Sequence, residues 1–292
     1  MATATIAGLP HKVVVVEMPG CTTADAPTVV SAQLLDPDGV AYGVPQADGK
    51  PRVSAMPYLY DIAEGKVPSH APFRRFGVNM DVAATWETVT NQSTAQPYLT
   101  SAERLKIVST DADDDGSPVG DGARTLNIKG LDGNYDIISE TVTMNGTGVV
   151  TTDASFLRPL RACVCSVGLS GVNEGTITIK NNAGAVTLLQ VNAEEGQSNS
   201  AIWTIPAGKV AYITSWNGAE SSNKGALIGL WFRSYGGSWR YARSYVLMAS
   251  SFFHLFPLPL LMAEKMDIEI RAKGVLAGAV VSAGFDGWYE AV

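Results

Sequence analysis

Asp267-Ile268-Glu269-Ile270-Arg271 places isoleucine at every second position with charged residues between. A strand points successive side chains to opposite faces, so this spacing predicts one face on a core and one in water. Thr176-Ile-Thr-Ile-Lys180 repeats the pattern. Working outward, further strand candidates fall at 103–109, 124–130, 137–145, 160–167, 186–191, 200–205, 209–215, 226–234, 243–249 and 277–285. Hairpin dipeptides punctuate them: Asp132-Gly133, Asn145-Gly146, Asn217-Gly218 and Gly236-Gly237. Short strands at regular intervals, without an amphipathic helical period, predict an all-β protein. The expected body is an antiparallel β-sandwich, jelly-roll-like, over 86–292.

The composition agrees. Of 292 residues, 17% are charged and 46% hydrophobic, with 29 glycines, which suits small-residue turns around a real core. The net charge of -7 argues against a general nucleic-acid binder, which needs a basic surface. Residues 101–150 hold nine acids against four bases, whereas 151–250 hold five against eight. Segments of opposite sign suit side-by-side packing of copies. Three cysteines, Cys21, Cys163 and Cys165, form no disulfide framework, and the last two are expected to be small apolar residues in a core. The amino terminus lacks the basic region and apolar stretch of a secretory signal. The uncharged run 244–263 has the length of a membrane helix, but Pro257 and Pro259 would break it. A buried strand leading into a Pro-stiffened loop is expected there, and no membrane partner.

The first 85 residues read differently. After Lys12-Val13-Val14-Val15-Val16-Glu17 come Pro19-Gly20, Asp36-Pro-Asp-Gly39 and Asp48-Gly49, punctuation that leaves little room for a compact core. Pro57-Tyr58-Leu-Tyr60-Asp-Ile-Ala-Glu-Gly65 predicts a turn or two of helix, opened by Pro and stopped by Gly. The expectation is an extended arm over 1–85 that gains order by lying on a partner. Lys12 to Val16 would add a strand to that partner's sheet.

Candidate chemistry is sparse. Asp111-Ala-Asp113-Asp-Asp115-Gly116 has the opening spacing of a calcium loop, but its twelfth position is Gly122 where a bidentate Glu is needed. Asp111, Asp113 and Asp115 are thus a weak calcium set beside a solvated acidic loop. Glu194-Glu195 could supply paired carboxylates, although adjacent strand residues diverge. Ile205-Pro-Ala-Gly-Lys209 lacks the rest of a phosphate loop, and His11, His70 and His254 sit in no nucleophile context. No catalytic residue and no cofactor is expected. The aromatic and arginine-rich stretch 231–243, with Trp231, Arg233, Tyr235, Trp239 and Arg240 around Gly236-Gly237, suits a protein or sugar contact. With the arm residues above and Phe73, Arg74 and Arg75, these form the expected partner-binding set.

Several segments occur together in a telling order. They are Gly122-Ala-Arg-Thr-Leu-Asn-Ile-Lys-Gly-Leu-Asp-Gly-Asn-Tyr-Asp-Ile-Ile-Ser-Glu-Thr-Val-Thr-Met-Asn-Gly-Thr147, then Gly168-Leu-Ser-Gly-Val-Asn-Glu-Gly-Thr-Ile-Thr-Ile179, Ile205-Pro-Ala-Gly-Lys209 and Glu264-Lys-Met-Asp-Ile-Glu-Ile-Arg-Ala272. Preceded by Tyr58-Leu-Tyr-Asp-Ile-Ala-Glu-Gly-Lys-Val-Pro68 and Phe76-Gly77, this order resembles a family of virion structural proteins of tailed bacteriophages, over 56–292. The resemblance implies a non-enzymatic subunit present in many copies, assembled in the bacterial cytoplasm and located in the virion. Its expected partners are the major capsid protein or a tail protein, and copies of itself, a homotrimer first among the arrangements. A capsid decoration (cement) role leads. A tail, adaptor or fibre-base protein that touches a host glycan is the alternative.

Overall fold

The computed structural model describes residues 57–292 and, before them, four short strands: β1 (Ala2–Ala4), β2 (Val13–Val15), β3 (Ala32–Leu35) and β4 (Ala41–Tyr42). The chain divides into two compact units, 1–64 and 65–292. In the first, β1 to β4 form one antiparallel sheet in chain order. Helix α1 (Pro57–Ala63) follows, and Gly65 takes a left-handed φ of 72° just past its end. Of the segment Lys12 to Val16, expected to add a strand to a partner's sheet, the described part pairs within the chain itself. Val13, Val14 and Val15 are paired on both sides, to β1 and to β3, so their backbone groups are already used. Lys12 and Val16 lie outside the described residues.

The second unit contains β5 (His70–Val82), β6 (Glu87–Thr88), β7 (Lys106–Ser109), β8 (Ala123–Leu131), β9 (Ile137–Thr143), β10 (Val150–Thr151), β11 (Arg158–Val167) and β12 (Ile177–Lys180). It continues with β13 (Thr187–Val191), β14 (Ile202–Thr204), β15 (Lys209–Glu220), β16 (Ala226–Arg233), β17 (Arg240–Leu247), β18 (Ser251–Met262), β19 (Asp267–Gly274) and β20 (Ala279–Ala291). Four antiparallel sheets result, with strand orders β10-β7-β12-β13, β11-β8-β9, β14-β19-β16-β17 and β18-β15-β20-β5; β6 adds to β19. The protein is all-β and antiparallel, as the alternating segments predict.

Two apolar cores lie within this unit. Ile107, Leu126, Ile128, Phe156, Ile177, Ile179 and Leu189 belong to one, built from the two sheets of residues 106–191. Trp216, Ile228, Leu230, Ile268, Ile270 and Phe285 belong to the other, built from the remaining two sheets. The segment between β6 and β14 therefore forms a lobe of its own, inserted into the chain of the larger lobe.

Three expectations need correction. The compact body begins at 65 and not at 86, because β5 pairs along β20 from His70↔Glu290 to Val82↔Ala279. Pro72 and the adjacent Arg74-Arg75 obscure its alternation in the sequence. Asn217-Gly218 is not a turn but the middle of β15, where Phe252 lies so close that a Cβ on Gly218 would stand 2.8 Å from its ring. Residues 251–262 form one strand through both prolines. It is an edge strand, and β15 skips from Ile213↔Leu260 to Ser215↔Leu255, leaving 256–259 in a bulge. No helix among the described residues is long and apolar enough to cross a membrane.

Candidate functional site

The alternation in Asp267-Ile-Glu-Ile-Arg271 is real, but its polar face is not wet. Strand β19 lies inside its sheet, between β14 and β16, and buries Ile268 and Ile270 in the larger core. On the opposite face Asp267 and Glu269 are 4% and 1% exposed. Burial of two carboxylates is costly unless each is paired and hydrogen-bonded, and here each is. Asp267 Oδ1 accepts from Arg158 Nε at 3.0 Å and Thr204 Oγ1 at 2.7 Å, and its Oδ2 accepts from the Arg233 guanidinium. Glu269 accepts from Arg271 on one oxygen, and from Thr88 Oγ1 at 3.0 Å and Tyr98 OH at 3.2 Å on the other.

Aromatic rings close over this layer. Arg271 and Arg233 lie 4.4 and 4.7 Å from the Trp239 ring centre, and Arg158 and Arg233 lie 5.1 and 4.7 Å from that of Tyr98. Such contacts strengthen once water is excluded. Burial pushes Glu269 above the usual carboxylate range, against the opposing pull of Arg271 and its hydrogen bonds. The Tyr98 hydroxyl is pushed well above 10, by burial first and then by the Glu269 and Asp267 charges, so it stays a hydrogen-bond donor.

Beside the layer is a cavity of about 480 Å³ lined by residues of both lobes, among them Tyr98, Tyr135, Arg158, Arg233, Tyr235 and Asp267. Tyr135 holds a left-handed φ of 69° in the turn where Asp132 Oδ1 accepts from the Asn134 and Asp136 amides. That conformation brings its ring edge-on to Tyr235 at 5.8 Å, and Lys265 Nζ sits 5.6 Å from the Tyr135 ring centre. The two carboxylates are held by arginines, so this chemistry suits binding by stacking and hydrogen bonds better than proton transfer.

No protein-family profile matches the chain, and no curated protein does.

Among solved structures, the infectious bursal disease virus Gx strain is similar over 81% of this chain and 76% of that one, at 11% identity and a TM-score of 0.18. For the Gt strain the figures are 81%, 87%, 8% and 0.13. Likeness at that level carries no argument about fold or function.

The aromatic and arginine-rich stretch is dispersed across the strands. Arg233 and Trp239 belong to the buried layer, and Tyr235 stands exposed at the cavity. Trp231 packs edge-on to Trp86 at 5.3 Å, and Arg240 is exposed. Phe73, expected to meet a partner, is instead a core residue stacked on Trp203 at 5.6 Å, because β5 alternates between the two faces of its sheet. Arg75 shares its inward face, Arg74 points outward, Tyr60 is exposed, and Tyr58 lies on α1.

Asp111, Asp113 and Asp115 do not converge. Asp111 accepts from the Asp113 amide and Asp115 from the Ser117 amide, and no cluster among the described residues could hold a metal. Their neighbour Asp114 is the buried member, accepting from Ser109 Oγ and the Ala123, Glu174 and Gly175 amides. Glu195 is likewise committed, to the amides of Asn91, Asn192 and Asn199. Cys163 is half-buried and Cys165 exposed at a bulge, contrary to the core placement expected for both.

Tyr98, Tyr135, Arg158 and Glu269 escape a reading of the sequence. The strand position of Glu269 is legible, but what covers the polar face of β19 comes from loops, turns and strands far along the chain. The alternation within 251–262 holds a second surprise. Phe253 and Leu255 lie on the outer face of their sheet, where Phe253 continues a row through Asn217 and Gly284 to Phe76. Phe253, Leu258 and Leu261 are 64%, 84% and 64% exposed.

Proposed function

We propose that the protein is a structural subunit of a tailed-bacteriophage virion, a decoration subunit bound to the major capsid protein. The sequence resemblance over 56–292 suggests the class. The exposed apolar face carried by β18 is the observation that carries the reading to a packing role. Contiguous exposed Phe and Leu side chains on a soluble subunit are costly in water and are covered in an assembly. On this reading the body is a pair of jelly-roll-like β-sandwiches, and residues 1–64 form the part that anchors it to neighbouring shell subunits. Copies of the chain associate through the apolar face, a trimer being the first arrangement to test.

The decisive experiment is to count and locate the protein in purified virions. Copies in the hundreds, spread over the head, support decoration; a single ring at the tail overturns it. Binding of the purified protein to expanded heads supplies a second test. Deleting residues 1–64 should abolish that binding, and Phe253→Asp combined with Leu258→Asp should break self-association in size-exclusion chromatography while the circular dichroism stays near the parent's, since both side chains are exposed.

The cavity at Tyr98, Tyr135 and Tyr235 favours a second reading, a tail-associated subunit that contacts a host glycan. Rings beside arginines form a surface on which sugar faces stack. Tyr235→Ala should then weaken binding to host cells without altering incorporation into virions.

A further inference from the structure

A second cavity, of about 340 Å³, also takes residues from both lobes: Arg74, Arg75 and Phe76 of β5, Leu160 and Arg161 of β11, the 197–200 segment, and Asn217, Gly284 and Asp286. We propose that it binds a small acid that carries hydroxyl groups, of the uronic-acid class, with its carboxylate on Arg75 and Arg161 and a hydroxyl on Ser200. This proposal stands apart from the virion role and does not depend on it.

Two residues that line this cavity each carry a buried polar atom without a hydrogen-bond partner among the described residues. Arg75 Nε is buried and, among the described residues, has no hydrogen-bond partner and no carboxylate pairing with its guanidinium, which lies 3.9 Å from the ring centre of Trp203. Ser200, 4% exposed, has an unpartnered buried Oγ. Groups of this kind are rare in native structures, because an orphaned buried donor costs its full desolvation. Finding two in one cavity points to a missing ligand that satisfies both.

The second cation is positioned without being neutralised. Arg161 donates to Gln197 Oε1, Gln197 Nε2 donates to Asn199 Oδ1 at 3.3 Å, and Asn199 Nδ2 donates to Glu195 at 2.8 Å. Arg161 is thus oriented through amides and keeps its remaining donors. Burial first, then the like charge of Arg161, lowers Arg75 to about 9, which leaves it a cation at neutral pH. The nearby Asp286 accepts from Ser215 Oγ at 3.3 Å, and its cross-strand neighbour is Arg74. Planar guanidiniums recognise carboxylates in two-point contacts, and a cavity this size falls in the range of small-molecule sites.

Calorimetric titration of the full-length protein with D-glucuronate, D-glucose and inorganic phosphate tests this. Saturable glucuronate binding is expected, with glucose at least about tenfold weaker, since the charged contacts are lost. Arg75→Met and Arg161→Gln should each weaken glucuronate by about tenfold or more. Ser200→Ala should weaken it severalfold and leave phosphate unaffected. Arg75→Met should also melt no lower than the parent, because it removes an unpaired buried charge. No saturable glucuronate binding overturns the proposal, as does glucose matching glucuronate or parental affinity in Arg161→Gln. Phosphate binding as tightly as glucuronate overturns the hydroxyl-bearing class. If Arg75→Met fails to fold, Arg161→Gln at the cavity's other cation decides.

Discussion

Single carboxylates decide much about this chain, and those that do so are not the ones the sequence advertises. Within Asp111-Ala-Asp-Asp-Asp-Gly116 the calcium spacing draws the eye to three aspartates, yet Asp114 between them is the structural centre. It is fully buried and accepts four hydrogen bonds, from both sides of the small lobe's fold-back at Glu174 and Gly175. Asp114→Ala should lower unfolding free energy by about 2–4 kcal/mol in urea titration, because several buried donors lose their acceptor at once. Glu220 is a second such group. Burial raises its affinity for a proton, but hydrogen bonds from the Ser222 hydroxyl and the Ala249, Ser222 and Lys224 amides outweigh it and lower the carboxyl from 4.5 to about 2. The folded state therefore favours the ionised form. That stabilisation is complete above pH 4.5 and is lost as pH falls toward 2. Glu220→Gln should remove about 1–2 kcal/mol of stability at neutral pH, after screening by solvent, and flatten the pH dependence in that window, as read by denaturation at several pH values.

Among the elements, β18 and β19 show what alternation can and cannot say. Both read as strands with one apolar face. In β19 the supposedly wet face is covered by Arg158, Arg233 and Arg271 under Tyr98 and Trp239, and in β18 the outer face is apolar and bare. Periodicity reports that two faces differ; it is silent on what lies against either one. The edge position of β18 gives its prolines a purpose. Pro257 and Pro259 remove two N–H groups from an exposed strand that carries Phe and Leu, which hinders edge-to-edge pairing. Replacing both with Thr should leave the melting temperature near the parent's and increase concentration-dependent aggregation, measured by light scattering.

At the level of the whole molecule, the boundary at 64/65 has a direct consequence. Residues 65–292 hold both large cores and should unfold cooperatively as an isolated fragment. A fragment beginning at 86, which the punctuation of the sequence would suggest, lacks β5. It would expose the edge of β20 and lose Phe73 from the core, so it should be insoluble or lack a cooperative melt. Comparing the two fragments by calorimetry checks this. The inserted lobe of 106–191 has its own core, so its contacts with the larger lobe and the two cavities lined by both depend on how the lobes pack.

By itself the sequence determined the strand-rich, antiparallel character of the protein, the helix at 57–63 and the turns at Asp132-Gly133 and Gly236-Gly237. These follow from local rules, namely side-chain period, proline geometry and glycine's tolerance of positive φ. Only the tertiary structure decided that β5 belongs to the body, that Asp267 and Glu269 are buried, and that Arg75 and Arg161 line one cavity. Each depends on which distant segments meet, and a covering side chain a hundred residues away leaves no local mark. The stretch Asp267-Ile-Glu-Ile-Arg271 announces a strand through its own spacing, whereas its charged face acquires its surroundings from Arg158, Arg233 and Tyr98.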